Sequence, residues 1–141
     1  MEKYADYSRV LNSSKVLALA TSVDNVPNVR LLSYVHDLSR PGVVYFATEN
    51  HSRKVEEFWE NSKVAVTTIP TDDVSHIRSV DSSVSKSKFT IKDMSGKFAE
   101  VHDGYDKIIE AMGDVLEVYE ISIKDCVVVT GMDQFETVSF Q

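Results

Sequence analysis

Three β-rich runs separated by two short turns fill the chain between Lys15 and Thr48, and this alternation constrains the fold more than any other feature. Lys15 to Val23 carries Val, Leu and Ala on both alternating faces, as a strand covered on both sides does. Asp24-Asn25-Val26-Pro27 reads as a turn, and Asn28 to Leu38 as a second strand that can pair with the first as a hairpin. Ser39-Arg40-Pro41-Gly42 turns the chain again into Val43 to Thr48. Three antiparallel strands in succession predict a meander.

Helical spacing flanks and interrupts these strands. Tyr4, Tyr7, Val10 and Leu11 recur as on one helix face, and Asn12-Ser13-Ser14 breaks the pattern. Val55, Phe58 and Trp59 give a second helix within Ser52 to Glu60, ending near Asn61. Lys63 to Ile69 reads as a strand stopped by Pro70. Asp72 to Lys88 is Ser-rich, with Ile77, Val80 and Val84 irregularly spaced, and reads as an exposed strand. Phe89 to Val101 is partly helical around Gly96, and Asp103 can cap a helix whose stripe is Tyr105, Ile108, Ile109 and Met112. Leu116 to Ile123 and Cys126 to Met132 predict two strands joined at Lys124-Asp125, with Thr137 to Phe140 extending an edge. The pattern predicts one domain over residues 1–141, mainly β with α: a six- to seven-stranded antiparallel, Greek-key-like barrel with flanking helices.

Composition excludes several classes of function. With 15 basic and 22 acidic residues the formal charge is -7, which argues against a general nucleic-acid binder, whose affinity comes mainly from neutralised phosphates. The lone cysteine, Cys126, cannot form an internal disulfide, and with no leader-like basic start or apolar run at the N-terminus the expected setting is the cytoplasm. No apolar run approaches the ~20 residues that span a bilayer, so no membrane partner is expected. Five glycines, at 42, 96, 104, 113 and 131, form no dinucleotide fingerprint and no phosphate loop. His36, His51, His76 and His102 have no metal-ligand spacing, so no metal site is expected, and no carboxylate pair identifies a catalytic residue. In its Val-rich run Cys126 reads as a buried structural thiol.

Phe46-Ala47-Thr48-Glu49-Asn50-His51-Ser52-Arg53-Lys54 is the segment richest in chemistry. A strand ends and a helix begins here, and the first helical turn carries Arg53 and Lys54, where the positive end of the helix dipole disfavours cations. A bound phosphate would resolve the conflict, accepting bonds from helix N–H groups, the Thr48 and Ser52 hydroxyls, a guanidinium and an ammonium. Alternatively Ser52 is only an N-cap, with Arg53 and Lys54 in solvent or paired with Glu56 and Glu57. Arg30 is a second anomaly, a guanidinium between Val29 and Leu31-Leu32 that needs an anionic partner. It reads either as an edge-strand arginine paired with a carboxylate or, if the second and third strands are neighbours, as a second phosphate contact.

Together these segments resemble the pyridoxamine 5'-phosphate oxidase-like, FMN-binding split-barrel family. The family oxidase has R-x-V-L-L-K, then Y-T-N-x-x-S-R-K turning into a helix, then N-N-P-R-V-S. The counterparts are Arg30-Leu31-Leu32-Ser33-Tyr34-Val35, Ala47-Thr48-Glu49-Asn50-His51-Ser52-Arg53-Lys54 and Glu60-Asn61-Ser62-Lys63-Val64-Ala65. The match covers residues 15 to 70, about half the chain, and is weak beyond. The resemblance implies FMN as cofactor, held by Arg30, Leu31, Leu32, Ala47, Thr48, Ser52, Arg53 and Lys54, with His76 reaching the flavin from a partner subunit. It further implies a homodimer with FMN at the subunit interface and a small-molecule electron donor or acceptor, such as NADH or NADPH.

Several departures separate the chain from the oxidase itself. Val35, Phe135 and Thr137 stand where the oxidase has the substrate-binding Lys, Arg and His, and the flavin-contacting Trp near the C-terminus is missing. A small FMN-dependent oxidoreductase that is not a pyridoxamine 5'-phosphate oxidase is therefore expected. Its alternatives are a non-catalytic flavin-binding or stress-associated protein, or a haem or deazaflavin binder on the same fold.

Overall fold

The computed structural model describes residues 4–140. In chain order the elements are α1 (Ala5–Ser13), β1 (Val16–Val23), β2 (Val26–Ser33), β3 (Val35–His36), β4 (Val43–Glu49), α2 (Arg53–Glu60), β5 (Lys63–Thr68), β6 (His76–Lys86), α3 (Ile91–Val101), α4 (Tyr105–Met112), β7 (Leu116–Gly131) and β8 (Gln134–Ser139). The strands form one curled antiparallel sheet in the order β2-β1-β5-β6-β7-β4-β3, with β8 on the second half of β7. This is the expected mainly β barrel, split between its two ends at β2 and β3.

The β1–β2 hairpin turns on two residues, Asp24 and Asn25, both at positive φ (52° and 65°). Such a turn matches the right-handed twist of the flanking strands and suits Asp and Asn. Val26 and Pro27 are therefore strand rather than turn, and Pro27 is tolerated because β2 lies at the sheet edge.

The predicted second strand breaks at Tyr34, whose buried hydroxyl donates to the carbonyls of Leu11 (2.7 Å) and Ser14 (2.9 Å). Past this break β3 pairs with β4 at the opposite end of the sheet. The three runs thus make two hairpins and not a meander. The residues of β4 explain why: Val44 and Phe46 face the main core, while Tyr45 joins a second cluster with Phe98, Tyr105 and Val118. A strand apolar on both faces needs a helical cover, which α3 and α4 supply.

The Ser-rich β6 is a central strand and not an exposed one. Ile77 and Ser79 point inward on odd positions, and Ser82 and Val84 on even ones. A bulge at Asp81 shifts the register between them and leaves Val80 92% exposed, which accounts for the irregular apolar spacing. The buried hydroxyls are satisfied locally, Ser82 donating to Ser79 Oγ (2.9 Å) and Ser79 to the Asp125 carbonyl (2.5 Å). The same irregularity lets β7 run unbroken through Lys124-Asp125, where two strands were expected.

Helix α3 starts with a reciprocal capping box between Thr90 and Asp93. Helix α4 is entered through Gly104 at φ 80°, so Asp103 is not its cap, and of its predicted stripe only Tyr105 is fully buried. Cys126 is 2% exposed and burial pushes its thiol pKa up to about 12, the structural role expected of it.

Phe46 is the hub of the main core, stacked on Tyr119 (5.7 Å between centroids) and edge-on to Phe58 (5.9 Å). Phe46→Ala should lower unfolding free energy by about 3–5 kcal/mol through lost burial and cavity formation. Urea denaturation measures this, and a loss below about 1 kcal/mol would show that the neighbouring rings collapse into the space.

Candidate functional site

The turn from β4 into α2 builds the site. Val55 and Phe58 drive the inner face of α2 into the core, which fixes its first turn beside the end of β4. Ser52 occupies the N-cap position, but its hydroxyl makes no cap bond to the helix. It lies 3.3 Å from Thr48 Oγ1, and Lys54 Nζ donates to that same oxygen at 2.8 Å. The first turn thus carries no side-chain cap and holds a part-buried ammonium against neutral hydroxyls. Burial, and then the nearby Arg30 charge, push the Lys54 pKa below its ordinary value, with Glu49 only partly offsetting them. Among the described residues the ion pairs are Arg9–Asp6, Arg30–Glu57, Arg40–Glu120 and Lys86–Glu117, and Lys54 is in none of them.

Arg30 lies opposite Leu19 in the β1–β2 register, so its side chain shares the inner face of the sheet. Its Nη1 donates to the Leu19 carbonyl (3.3 Å) and Thr21 Oγ1 (2.9 Å), and its Nη2 to Glu57 Oε1 (2.5 Å). Glu57 also accepts from Thr21 Oγ1 at 3.0 Å and, weakly, from Asn28 Nδ2 at 3.4 Å. Burial alone would raise the Glu57 pKa; these hydrogen bonds and the Arg30 charge outweigh it and hold the carboxyl below its usual range. Arg30 is thus an edge-strand arginine paired with a carboxylate. Its strand and β4 are not paired, although its charge is felt at Lys54.

The other predicted site residues are spread around this pair. Arg53 is exposed and lines a groove of about 400 Å³ with Val23, His51, Glu56, Glu57 and Glu60. Leu32 is in the main core, Leu31 is 65% exposed on the outer face, and Ala47 packs against the second cluster. His76 begins β6, its Nδ1 2.8 Å from the Val74 carbonyl, with β5 and β1 between its strand and β2. Thr48 therefore touches both Ser52 and Lys54, Arg30 is close enough to act on Lys54, and Arg53, Leu31 and His76 face elsewhere within this chain. Sequence reasoning missed Thr21 and Asn28 and gave Glu57 only a local role. The available signal was positional, since Thr21 shares the inner-face alternation of β1 with Leu19 and Glu57 follows Lys54 by one helical turn.

Among the described residues no group of three His, Cys, Asp or Glu is arranged to hold a metal ion, and no helix is long and apolar enough to cross a membrane.

The profile of a family described as pyridoxamine 5'-phosphate oxidase-like matches residues 10–135. No curated protein sequence matches the chain. Among solved structures, a Clostridium acetobutylicum protein related to general stress protein 26, of the pyridoxinephosphate oxidase family, superimposes with a TM-score of 0.70 at 14% identity, covering 99% of this chain and 96% of its own. A heme binding protein from Mycobacterium smegmatis gives 0.72 at 11% identity, over 99% of this chain and 59% of its own. A FAD-binding protein from Mesorhizobium loti gives 0.64 at 16% identity, over 89% and 90%. At these identities the likeness establishes the fold.

The part-buried Lys54 ammonium is held by one hydroxyl and has no ion-pair partner among the described residues, so it contributes little to stability. Lys54→Met keeps the stem and removes the charge, and should leave the unfolding free energy unchanged or raise it by up to about 1 kcal/mol, since solvent screens a partly exposed charge. Urea denaturation checks this; a clear loss would mean that the ammonium has a compensating partner.

Proposed function

This chain belongs to the pyridoxamine 5'-phosphate oxidase-like family, and from that premise and the uncompensated Lys54 we propose that it binds FMN by its phosphate at the start of α2 and works as a small oxidoreductase. The supporting observation is Lys54 itself. A part-buried cation whose one hydrogen-bond partner is a neutral hydroxyl, beside a helix N-terminus without a side-chain cap and within the field of Arg30, has the donor set of a phosphate cradle. Thr48 and Ser52 would complete it with hydroxyls, and Arg53 would approach from the solvent side. Bound FMN supplies the redox chemistry, while the protein holds the phosphate, orients the ring and limits access to it. A nicotinamide donor such as NADH or NADPH and a neutral or aromatic acceptor suit this reading. So does the cytoplasm, where the single buried Cys126 stays reduced.

A homodimer is part of the proposal. Paired residues Leu31, Ala18, Thr67, Arg78, Val127 and Thr137 form one row across six strands, so these strands share an outer face. That face exposes Val29 and Leu31 at one end and Phe135 at the other, at 63–68% of their surface. A second copy related by two-fold symmetry would cover it and bring its own His76, which lies on the same face, toward the flavin.

FMN should therefore bind more tightly than riboflavin, and Lys54→Ala should weaken FMN binding by about 1.5–3 kcal/mol, the range for a charge-assisted hydrogen bond. Flavin fluorescence titration measures both, and sedimentation with FMN present should give about twice the chain mass. Equal affinity for FMN and riboflavin would overturn the phosphate site, a monomer that binds FMN tightly would overturn the dimer, and a haem spectrum in the purified protein would replace flavin with haem.

The proposed activity is not oxidation of pyridoxamine 5'-phosphate. Val35 is buried in the second cluster, Phe135 is an exposed apolar ring, and neither can hold a substrate phosphate. Losing charge-assisted contacts worth about 1.5–3 kcal/mol each should reduce turnover by orders of magnitude. Incubation with pyridoxamine 5'-phosphate and oxygen should yield no multiple turnover at micromolar substrate; efficient pyridoxal 5'-phosphate formation would contradict this.

A further inference from the structure

Glu57 has no counterpart among the residues assigned to the cofactor, yet it takes more polar contacts than any other side chain of α2. It receives Arg30, Thr21 and Asn28 on its two oxygens, and its side chain is 13% exposed. Its helix neighbours Glu56 and Glu60 are exposed. With one side on the groove it shares with Arg53, this carboxylate is only partly screened from nearby charges.

Resting on the FMN reading, we propose that Glu57 is a built-in anion that shares Arg30 with the ligand's phosphate and thereby sets how strongly the site prefers a phosphorylated flavin. The bond inventory carries the argument. A guanidinium has five N–H donors, and in Arg30 two contacts lie on Nη1 and one on Nη2, so Nε and one Nη2 hydrogen remain to be offered. A phosphate reaching Arg30 from the Lys54 side would use those hydrogens without breaking the Glu57 pair, and would then lie close to the carboxylate. Glu57 thus has two opposed effects. It fixes the orientation of the guanidinium, and its charge cancels part of the field that attracts the phosphate: Arg30 and Lys54 supply two positive charges, and Glu57 leaves one.

Replacing the carboxylate by its neutral isostere separates these effects, because Gln can still accept from Arg30 and Thr21. Glu57→Gln should tighten FMN binding on the order of tenfold, as expected for removing one poorly screened charge near a phosphate. Riboflavin affinity should stay within about twofold, because riboflavin carries no charge for the carboxylate to repel. Glu56→Gln makes the same charge change on the exposed side of the helix and should have a much smaller effect. Fluorescence titrations of FMN and riboflavin into the wild type and both variants give the answer, and Glu57→Asn, which keeps a neutral amide acceptor, substitutes if the Gln variant does not fold. Unchanged or weaker FMN binding in the Glu57 variant overturns the proposal, as does an equal gain for riboflavin or an equal gain in Glu56→Gln. If the wild type binds FMN in preference to riboflavin and only the predicted gain is missing, this inference fails and the FMN reading stands. Binding by the Glu57 variant where the wild type has none supports the inference, and no flavin binding by any of the proteins overturns both.

Discussion

Strand β7 carries the architecture, because its 16 residues serve three neighbours. Its first half pairs with β4, its second half with β8, and its other edge with β6 from Tyr119 to Val129. Both ends of the sheet are organised from it. The hairpin of β3 and β4 docks on one side, while β6 leads through β5 and β1 to β2 on the other. The bulge at Asp81 provides local twist and curvature at the middle of this long ladder. The Ser79 hydroxyl beside it donates to the Asp125 carbonyl and accepts from the Asp81 N–H, backbone groups that the bulge would otherwise strand.

How much of this was legible in the sequence follows from the range of each signal. Alternation and turn residues are local, so β1, β4, β5 and the helices α1 and α2 could be located closely. Partner choice is not local. Nothing within Asn28 to Leu38 says that the chain leaves one edge at Tyr34 and joins the other, because the cause lies in hydrogen bonds from Tyr34 to α1 and in the need to cover both faces of β4. Lys124-Asp125 looks like a turn for a related reason. A polar pair inside a strand is tolerated where the partner strand bulges, and Asp125 additionally accepts from Ser139 on β8. At α4, the strong apolar period overstated burial, since Ile108 stays 45% exposed.

The site shows the same division. Two cations in the first turn of a helix break an electrostatic rule within three residues, and that was readable without any partner. Their separate fates were not. Lys54 turns inward to Thr48, while Arg53 stays at the surface among Glu56, Glu57 and Glu60. Helix phase separates them once Val55 and Phe58 are seated in the core, and Glu57 is committed to Arg30 by a contact spanning 27 residues between a strand edge and a helix. A local reading would pair that glutamate with its helix neighbours.

One carboxylate thereby links fold and site. By holding Arg30, Glu57 ties the edge strand β2 to α2 through a shielded ion pair, so the first turn of the helix and the edge of the barrel keep a fixed relation. So committed, Glu57 makes no ion pair with Lys54, whose ammonium keeps the Thr48 hydroxyl as its partner and only a partial offset from Glu49. A cation in this position is costly to an empty protein and useful to one that receives an anion, because preorganised donors lose little on binding. On the proposed reading the arrangement is a receptor for a phosphate, and the cost of holding Lys54 partly desolvated would be recovered on binding.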